Sequence, residues 1–195
     1  MNRVRALSLL LGLVALGPVT FAAAQSTPEA ELTAASKAPP GGDIPAKFSP
    51  PKPETDYIKR EVLVPMRDGV KLYTVIVVPK GAKDAPIVLT RTPYNAKSRA
   101  ARTEDSPSML ATLPLADEMF VKTGYIRVYQ DIRGKYGSEG DYEVTRPVIG
   151  PLNKTKTDHV TDAWDTIDWL VNKANLPESN GRVGMIGSSY EGFTV

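Results

Sequence analysis

Cysteine is absent from this 195-residue chain, and histidine occurs once, as His159. The first absence removes thiol nucleophiles, cysteine metal sites and disulfide staples, and it is compatible with an oxidising compartment. A lone histidine cannot build a zinc site of the usual kind. Charge of one sign is not in excess either: 24 Lys and Arg stand against 22 Asp and Glu, and the basic residues are scattered. That pattern excludes a nucleic-acid footprint. A phosphate-binding fingerprint is missing as well. The glycines of the loop Gly134, Gly137 and Gly140 fit neither known spacing and lack a Lys-Ser/Thr pair. No cofactor is expected, and there is no internal repeat.

What is present begins with an address. Arg3 and Arg5 precede the apolar run Ala6 to Val19, and Ala22-Ala23-Ala24 follows, with Gln25 as the new N-terminus. This reads as a cleavable secretory signal peptide over residues 1–24, hence a periplasmic or secreted protein. A stable membrane anchor would need about 20 apolar residues. Residues 25–56 form a Pro/Ala-rich arm or linker with the breakers Pro39-Pro40-Gly41-Gly42 and Pro50-Pro51-Lys52-Pro53. Such a stretch buries too little to offset its ordering entropy. It reads equally as a loose tail or as an arm docked in a homo-oligomer.

From Tyr57 the chain is patterned. Glu61–Pro65 and Val70–Val78 read as strands joined by a turn at Arg67-Asp68-Gly69, and Ile87–Thr90 reads as a central strand covered on both faces. A helix is expected around Leu115, Met119 and Phe120, stopped by Gly124, and then a strand at Ile126–Gln130. Asp158–Val171 is the strongest helix, with Val160, Ala163, Trp164, Ile167, Leu170 and Val171 on one face. Asp158, Asp162 and Asp165 fall on its other face, where the dipole favours them. They are read as a solvated face and not as a metal or acid/base cluster. A last strand, Arg182–Gly187, runs into Ser188-Ser189. Strand–helix alternation of this kind predicts an α/β fold, a mostly parallel sheet with helices on both faces. The turn after the last strand calls for a helix that the sequence does not contain. With the Gly187–Ser189 turn at the end of the last strand, residues 57–195 read as the N-terminal part of an α/β-hydrolase domain.

Chemistry in parallel sheets gathers at the carboxyl ends of the strands. At the last one, Gly187-Ser188-Ser189-Tyr190-Glu191-Gly192 reads as a nucleophile elbow, a sharp strand-to-helix turn that needs a small residue two before the serine. Gly187 meets that need for Ser189 and not for Ser188. The small residue usual two positions after the serine is replaced by Glu191. The Tyr190 N–H is the first oxyanion donor of such a turn. Tyr94, in Arg91-Thr92-Pro93-Tyr94, lies on the loop that supplies the second donor. From chemistry alone a loop tyrosine is more often a packing residue than a catalytic one. Asp131 and Arg133 are expected to pair and brace the pocket wall. His159 precedes the nucleophile, whereas this fold supplies its base after it, so it is read as structural or surface.

Four motifs occur in order: Arg91-Thr92-Pro93-Tyr94, Asp131-Ile132-Arg133-Gly134, Asp162–Leu170 and Gly187–Gly192. Together they resemble the family of α-amino acid ester hydrolases, bacterial cocaine esterase and Xaa-Pro dipeptidyl peptidases. The Ser-Tyr-Glu-Gly version is most similar to the first. The resemblance implies Ser189 as nucleophile, with oxyanion donors from the Tyr94 side chain and the Tyr190 main chain. It also implies a downstream Asp and His, a helical cap, a jelly-roll domain and a carboxylate cluster for the substrate ammonium, none of which lies in this chain. The expected activity is that of a serine hydrolase or acyltransferase on small-molecule α-amino acid esters or amides, including β-lactam side-chain esters. The alternatives are an Xaa-Pro dipeptidyl peptidase, a general carboxylesterase, or an inactive fragment or binding protein. The 195-residue chain alone is expected to be inactive.

Overall fold

The computed structural model describes residues 54–103 and 106–195. The signal peptide and nearly all of the arm read from the sequence lie outside the described residues. The elements are β1 (Tyr57–Pro65), β2 (Lys71–Pro79), β3 (Ala85–Thr92), α1 (Ala96–Arg99), α2 (Met109–Thr112), α3 (Glu118–Lys122), β4 (Ile126–Asp131), α4 (His159–Asn172) and β5 (Ser179–Met185). Short 3-10 turns occupy Leu115–Asp117 and Ser189–Thr194.

Five strands form one sheet in the order β1-β2-β4-β3-β5. β1 and β2 pair antiparallel from Tyr57↔Pro79 to Pro65↔Lys71. β1 thus starts earlier than its apolar residues suggested, because β2 offers a partner along its whole length. β2 meets β4 antiparallel, while β4, β3 and β5 run parallel. β3 is therefore flanked by parallel strands on both sides and is almost wholly buried, as its continuous apolar run required. β5 pairs only with β3 among the described residues and forms that edge of the sheet.

Both faces are covered. On one, Ile76, Val78, Ile87, Leu89, Ile126 and Val128 pack with Leu170 of α4 and Leu176. On the other, Val75, Val77 and Tyr129 pack with Ala96, Ala100, Met109 and Leu113 from α1, α2 and their flanks. These alternate residues of β2 and β4 point to opposite sides, as the period of two demands.

Two helices bury faces other than those the sequence suggested. α4 has the expected limits, with Asp158 as N-cap in a reciprocal capping box with Thr161. Its buried residues, however, are Asp162, Thr166 and Leu170, whereas Val160, Trp164 and Val171 are exposed. The solvated-face reading of the three aspartates is therefore corrected. Asp158 and Asp162 are buried, and Asp165 pairs with Arg67 of the β1–β2 turn at 2.7 Å. Before β4, Leu115 and Met119 are exposed, and the buried residue is Asp117. It is drawn inward by Arg127 at 3.0 Å and by the Tyr129 hydroxyl. Gly124 does end α3 with φ +79°, a conformation that a Cβ would strain.

Candidate active site

β5 ends in a sharp turn at the carboxyl end of the sheet. Ile186 continues the ladder, with its N–H donating to Leu89 O at 3.0 Å and its carbonyl accepting the Thr90 hydroxyl at 3.1 Å. The chain then reverses. Ser188 is extended at φ −124°, and Ser189 takes φ +54°, a left-handed conformation uncommon for serine. Gly187 permits the reversal. A Cβ there would lie 2.2 Å from the Glu191 carbonyl oxygen, and backbone cannot yield as a flexible side chain can. A Cβ at Gly192 would meet only the Gly187 oxygen at 3.7 Å, so the crowded position is the glycine before the serine.

Ser189 is exposed at the start of the 3-10 turn, followed by Tyr190. The first N–H groups of such a turn have no acceptor within it, which leaves the Tyr190 amide available to a ligand. The Tyr190 side chain is pinned separately. Its hydroxyl accepts the Thr145 N–H at 2.9 Å, and its ring meets His159 and Phe193 edge-on at 6.3 and 6.2 Å. Burial raises its phenol pKa. The turn is also stitched to β3, since the Thr194 hydroxyl donates to Arg91 O at 2.9 Å.

Tyr94 sits on the loop after β3, about half exposed, with its N–H donating to Thr92 Oγ1 at 3.0 Å. One residue on, Asn95 takes φ +73° and caps α1 by accepting the Ser98 N–H at 3.0 Å. From α1, the Arg99 guanidinium lies 5.9 Å from the centre of the Tyr94 ring and donates to Glu191 Oε1 at 2.7 Å. The structure thus joins the Tyr94 segment to the serine turn through two residues that were not read as functional. Glu191 carried one signal, occupying a place where the turn usually has a small residue. Arg99 carried none. The pair borders a cavity of about 230 Å³ also lined by Asp117, Arg127, Gly187 and Ser188.

The third strand end differs from its expected role. Asp131 does not pair with Arg133. Its two oxygens accept the Ala96 N–H at 2.7 Å and the Gly137 N–H at 3.2 Å, tying α1 to the glycine-rich loop. Burial outweighs those bonds and raises its pKa. Arg133 instead grips Asp162 in two-point fashion at 2.7 and 3.1 Å and reaches Asp68 at 2.8 Å. Arg91, fully buried, donates to Gln130 at 3.0 Å and to the His159 carbonyl at 2.7 Å. Burial pushes its pKa down to about 10. These arginines explain why α4 buries its aspartate-bearing face: buried cations require anionic partners. His159 is half-buried, and neither ring nitrogen has a hydrogen-bond partner among the described residues, so it is not paired with Ser189. No cluster of three or more His, Asp or Glu side chains suited to a metal occurs among the described residues.

A parallel strand that ends in a left-handed serine turn, in a sheet of this strand order with helices on both faces, defines an α/β-hydrolase fold. Residues 68–195 match the X-Pro dipeptidyl-peptidase (S15) family, and the chain belongs to it. It is 34% identical over 137 residues to a cocaine esterase of Rhodococcus sp. (strain MB1 Bresler), covering 70% of this chain and 20% of that protein. A solved α-amino acid ester hydrolase is 65% identical, with a TM-score of 0.71, over 81% of this chain and 25% of its own. A solved aminopeptidase from a marine sediment archaeon, Thaumarchaeota archaeon, is 56% identical, with a TM-score of 0.70, over 78% of this chain and 25% of its own. The chain thus spans about a fifth to a quarter of the length of these relatives.

Proposed function

We propose that this chain carries the nucleophile and both oxyanion donors of an exported serine hydrolase acting on α-amino acid esters or amides. The observation that carries the reading is the backbone of the serine turn: Ser189 at φ +54° above a Gly187 that has no room for a Cβ. Strain of this kind at the end of a parallel strand projects a hydroxyl away from the sheet. The acyl class is supported by similarity to proteins named for α-amino acid esters and for aminopeptidase action.

In this reaction the Ser189 oxygen attacks the substrate carbonyl carbon, and its proton passes to a general base. The carbonyl oxygen becomes an oxyanion held by the Tyr94 hydroxyl and the Tyr190 N–H. Collapse breaks the bond to the alcohol or amine, which leaves with the proton. The resulting acyl-enzyme is then attacked by water, giving the amino acid, or by an amine, giving a new amide. The base is assigned to the downstream histidine that the resemblance implies, because His159 is enclosed and upstream. Tests therefore need the full-length protein. A fluorophosphonate probe should label wild type at Ser189, and Ser189→Ala should lose both labelling and ester turnover. Turnover at the wild-type rate in that variant would remove the assignment. Comparing an α-amino ester with its deaminated analogue separates this reading from a general carboxylesterase, and an Xaa-Pro amide separates it from a dipeptidyl peptidase.

A further inference from the structure

Nothing hydrogen-bonds the Tyr94 hydroxyl among the described residues, and its side chain is about half exposed. Left alone, a phenol on a loop samples several rotamers, and an oxyanion donor that must be ordered during the reaction loses its advantage. Its backbone is well held by Thr92 and by the Asn95 cap, so the open question is what fixes the ring.

We infer that Arg99, clamped by Glu191, is a positioning residue that sets the Tyr94 phenol relative to the serine turn; this rests on the reading of Tyr94 and Ser189 proposed above. Three observations carry it. The Arg99 guanidinium carbon is 5.9 Å from the Tyr94 ring centre, within range of a cation–π contact. The same guanidinium donates from Nη2 to Glu191 Oε1 at 2.7 Å, a short charge-assisted bond. Glu191 itself is 4% exposed and lies two residues after Ser189, so its position is tied to that of the nucleophile. A buried carboxylate without a partner is costly, which keeps the pair closed. The result is a continuous physical link from the Tyr94 ring through Arg99 and Glu191 to the serine turn. Only a planar guanidinium faces an aromatic ring while donating in its own plane. Lysine offers a point charge without that geometry. The link also accounts for a glutamate where this turn usually has a small side chain.

The test is a double-mutant cycle in the full-length protein, with kcat and KM measured on a p-nitrophenyl α-amino ester. Arg99→Gln should lower kcat about 10- to 100-fold, the cost of a modest misplacement of a reacting group. KM should stay near wild type. In a Tyr94→Phe background the same change should cost almost nothing further, because there is no hydroxyl left to position. Arg99→Lys should not rescue, and Glu191→Gln should show the same dependence on Tyr94. If Arg99→Gln does not fold, Arg99→Lys and Glu191→Gln complete the cycle. Equal losses in both backgrounds, or a loss confined to KM, would overturn the inference while leaving Tyr94 as a donor. Wild-type kcat in Tyr94→Phe alone would instead overturn the oxyanion assignment, and the inference with it.

Discussion

At the scale of single residues, the positive φ values separate into two kinds. Asp84, Asn95 and Asn175 are residue types that enter the left-handed region readily, whereas Tyr136, Thr145 and Ser189 are not. Thr145 donates its N–H to the hydroxyl of Tyr190, the residue after Ser189. Strain persists only where the surroundings over-determine it, and at Ser189 the surroundings are the crowded turn after β5. Gly187→Ala tests how much of the site depends on that backbone. The new Cβ would fall 2.2 Å from the Glu191 carbonyl, so the turn must move. Forced overpacking of this sort costs about 1–3 kcal/mol, and the displaced hydroxyl should label with a serine-directed probe at least about tenfold more slowly than wild type. Labelling at the wild-type rate would mean that the crowding at Gly187 is not what aims Ser189. The glycine two before the serine was legible from local sequence, because a close approach of strand and turn excludes larger residues. The partnership of Arg99 with Glu191 was not, since it joins positions far apart in the chain.

At the scale of elements, α4 shows where periodicity fails. Its ends were legible because capping is local: Asp158 and Thr161 satisfy each other across one turn. Its buried face was not, because apolar spacing takes no account of Arg91 on β3 and Arg133 just after β4. The same elements place His159 beside two cations. Burial first, and then the charge of Arg91, with a further contribution from Arg146, lowers its pKa below 6.5 against the weaker opposing pull of Asp162 and Asp158. A base with a depressed folded pKa costs nothing while it is neutral in both states. As pH falls below 6.5 the unfolded chain takes up the proton first, so stability declines until the folded pKa is passed. Asp158 and Asp165 behave at a different pH. Burial raises them, but hydrogen bonds from Thr161 and Ile149 in one case and from Arg67 in the other prevail, so both end below 3.8. Their stabilisation is lost only in stronger acid. Full-length His159→Phe, which keeps an aromatic ring against Tyr190, should flatten the fall in Tm just below pH 6.5 and leave the acid limb unchanged. A wild-type profile already flat in that window would show that His159 protonates without cost.

At the scale of the whole molecule, the edge of β5 and the apolar stripe Val160, Trp164 and Val171 of α4 stand open among the described residues. The matched part of the chain spans about a fifth to a quarter of the length of its relatives. Export belongs to this scale too. The basic start, the apolar run and Ala22-Ala23-Ala24 predict cleavage between Ala24 and Gln25. N-terminal sequencing of the exported protein should begin at Gln25, and recovery of residues 1–24 would refute cleavage there.

The sequence by itself determined what is encoded over short distances. Strand order, the limits of α4, the stop at Gly124 and the glycine–serine turn all follow from side-chain period, capping and φ preference between near neighbours. Composition also excluded thiol chemistry, since the chain has no cysteine. Only the tertiary structure decided which polar residues are buried and with whom: Asp162 with Arg133, Asp117 with Arg127, Asp131 with the amides of Ala96 and Gly137, and Arg99 with Glu191. The physical reason is that a buried charge is tolerated only when a specific partner meets it, and those partners come from strands and helices that become neighbours only when the sheet assembles.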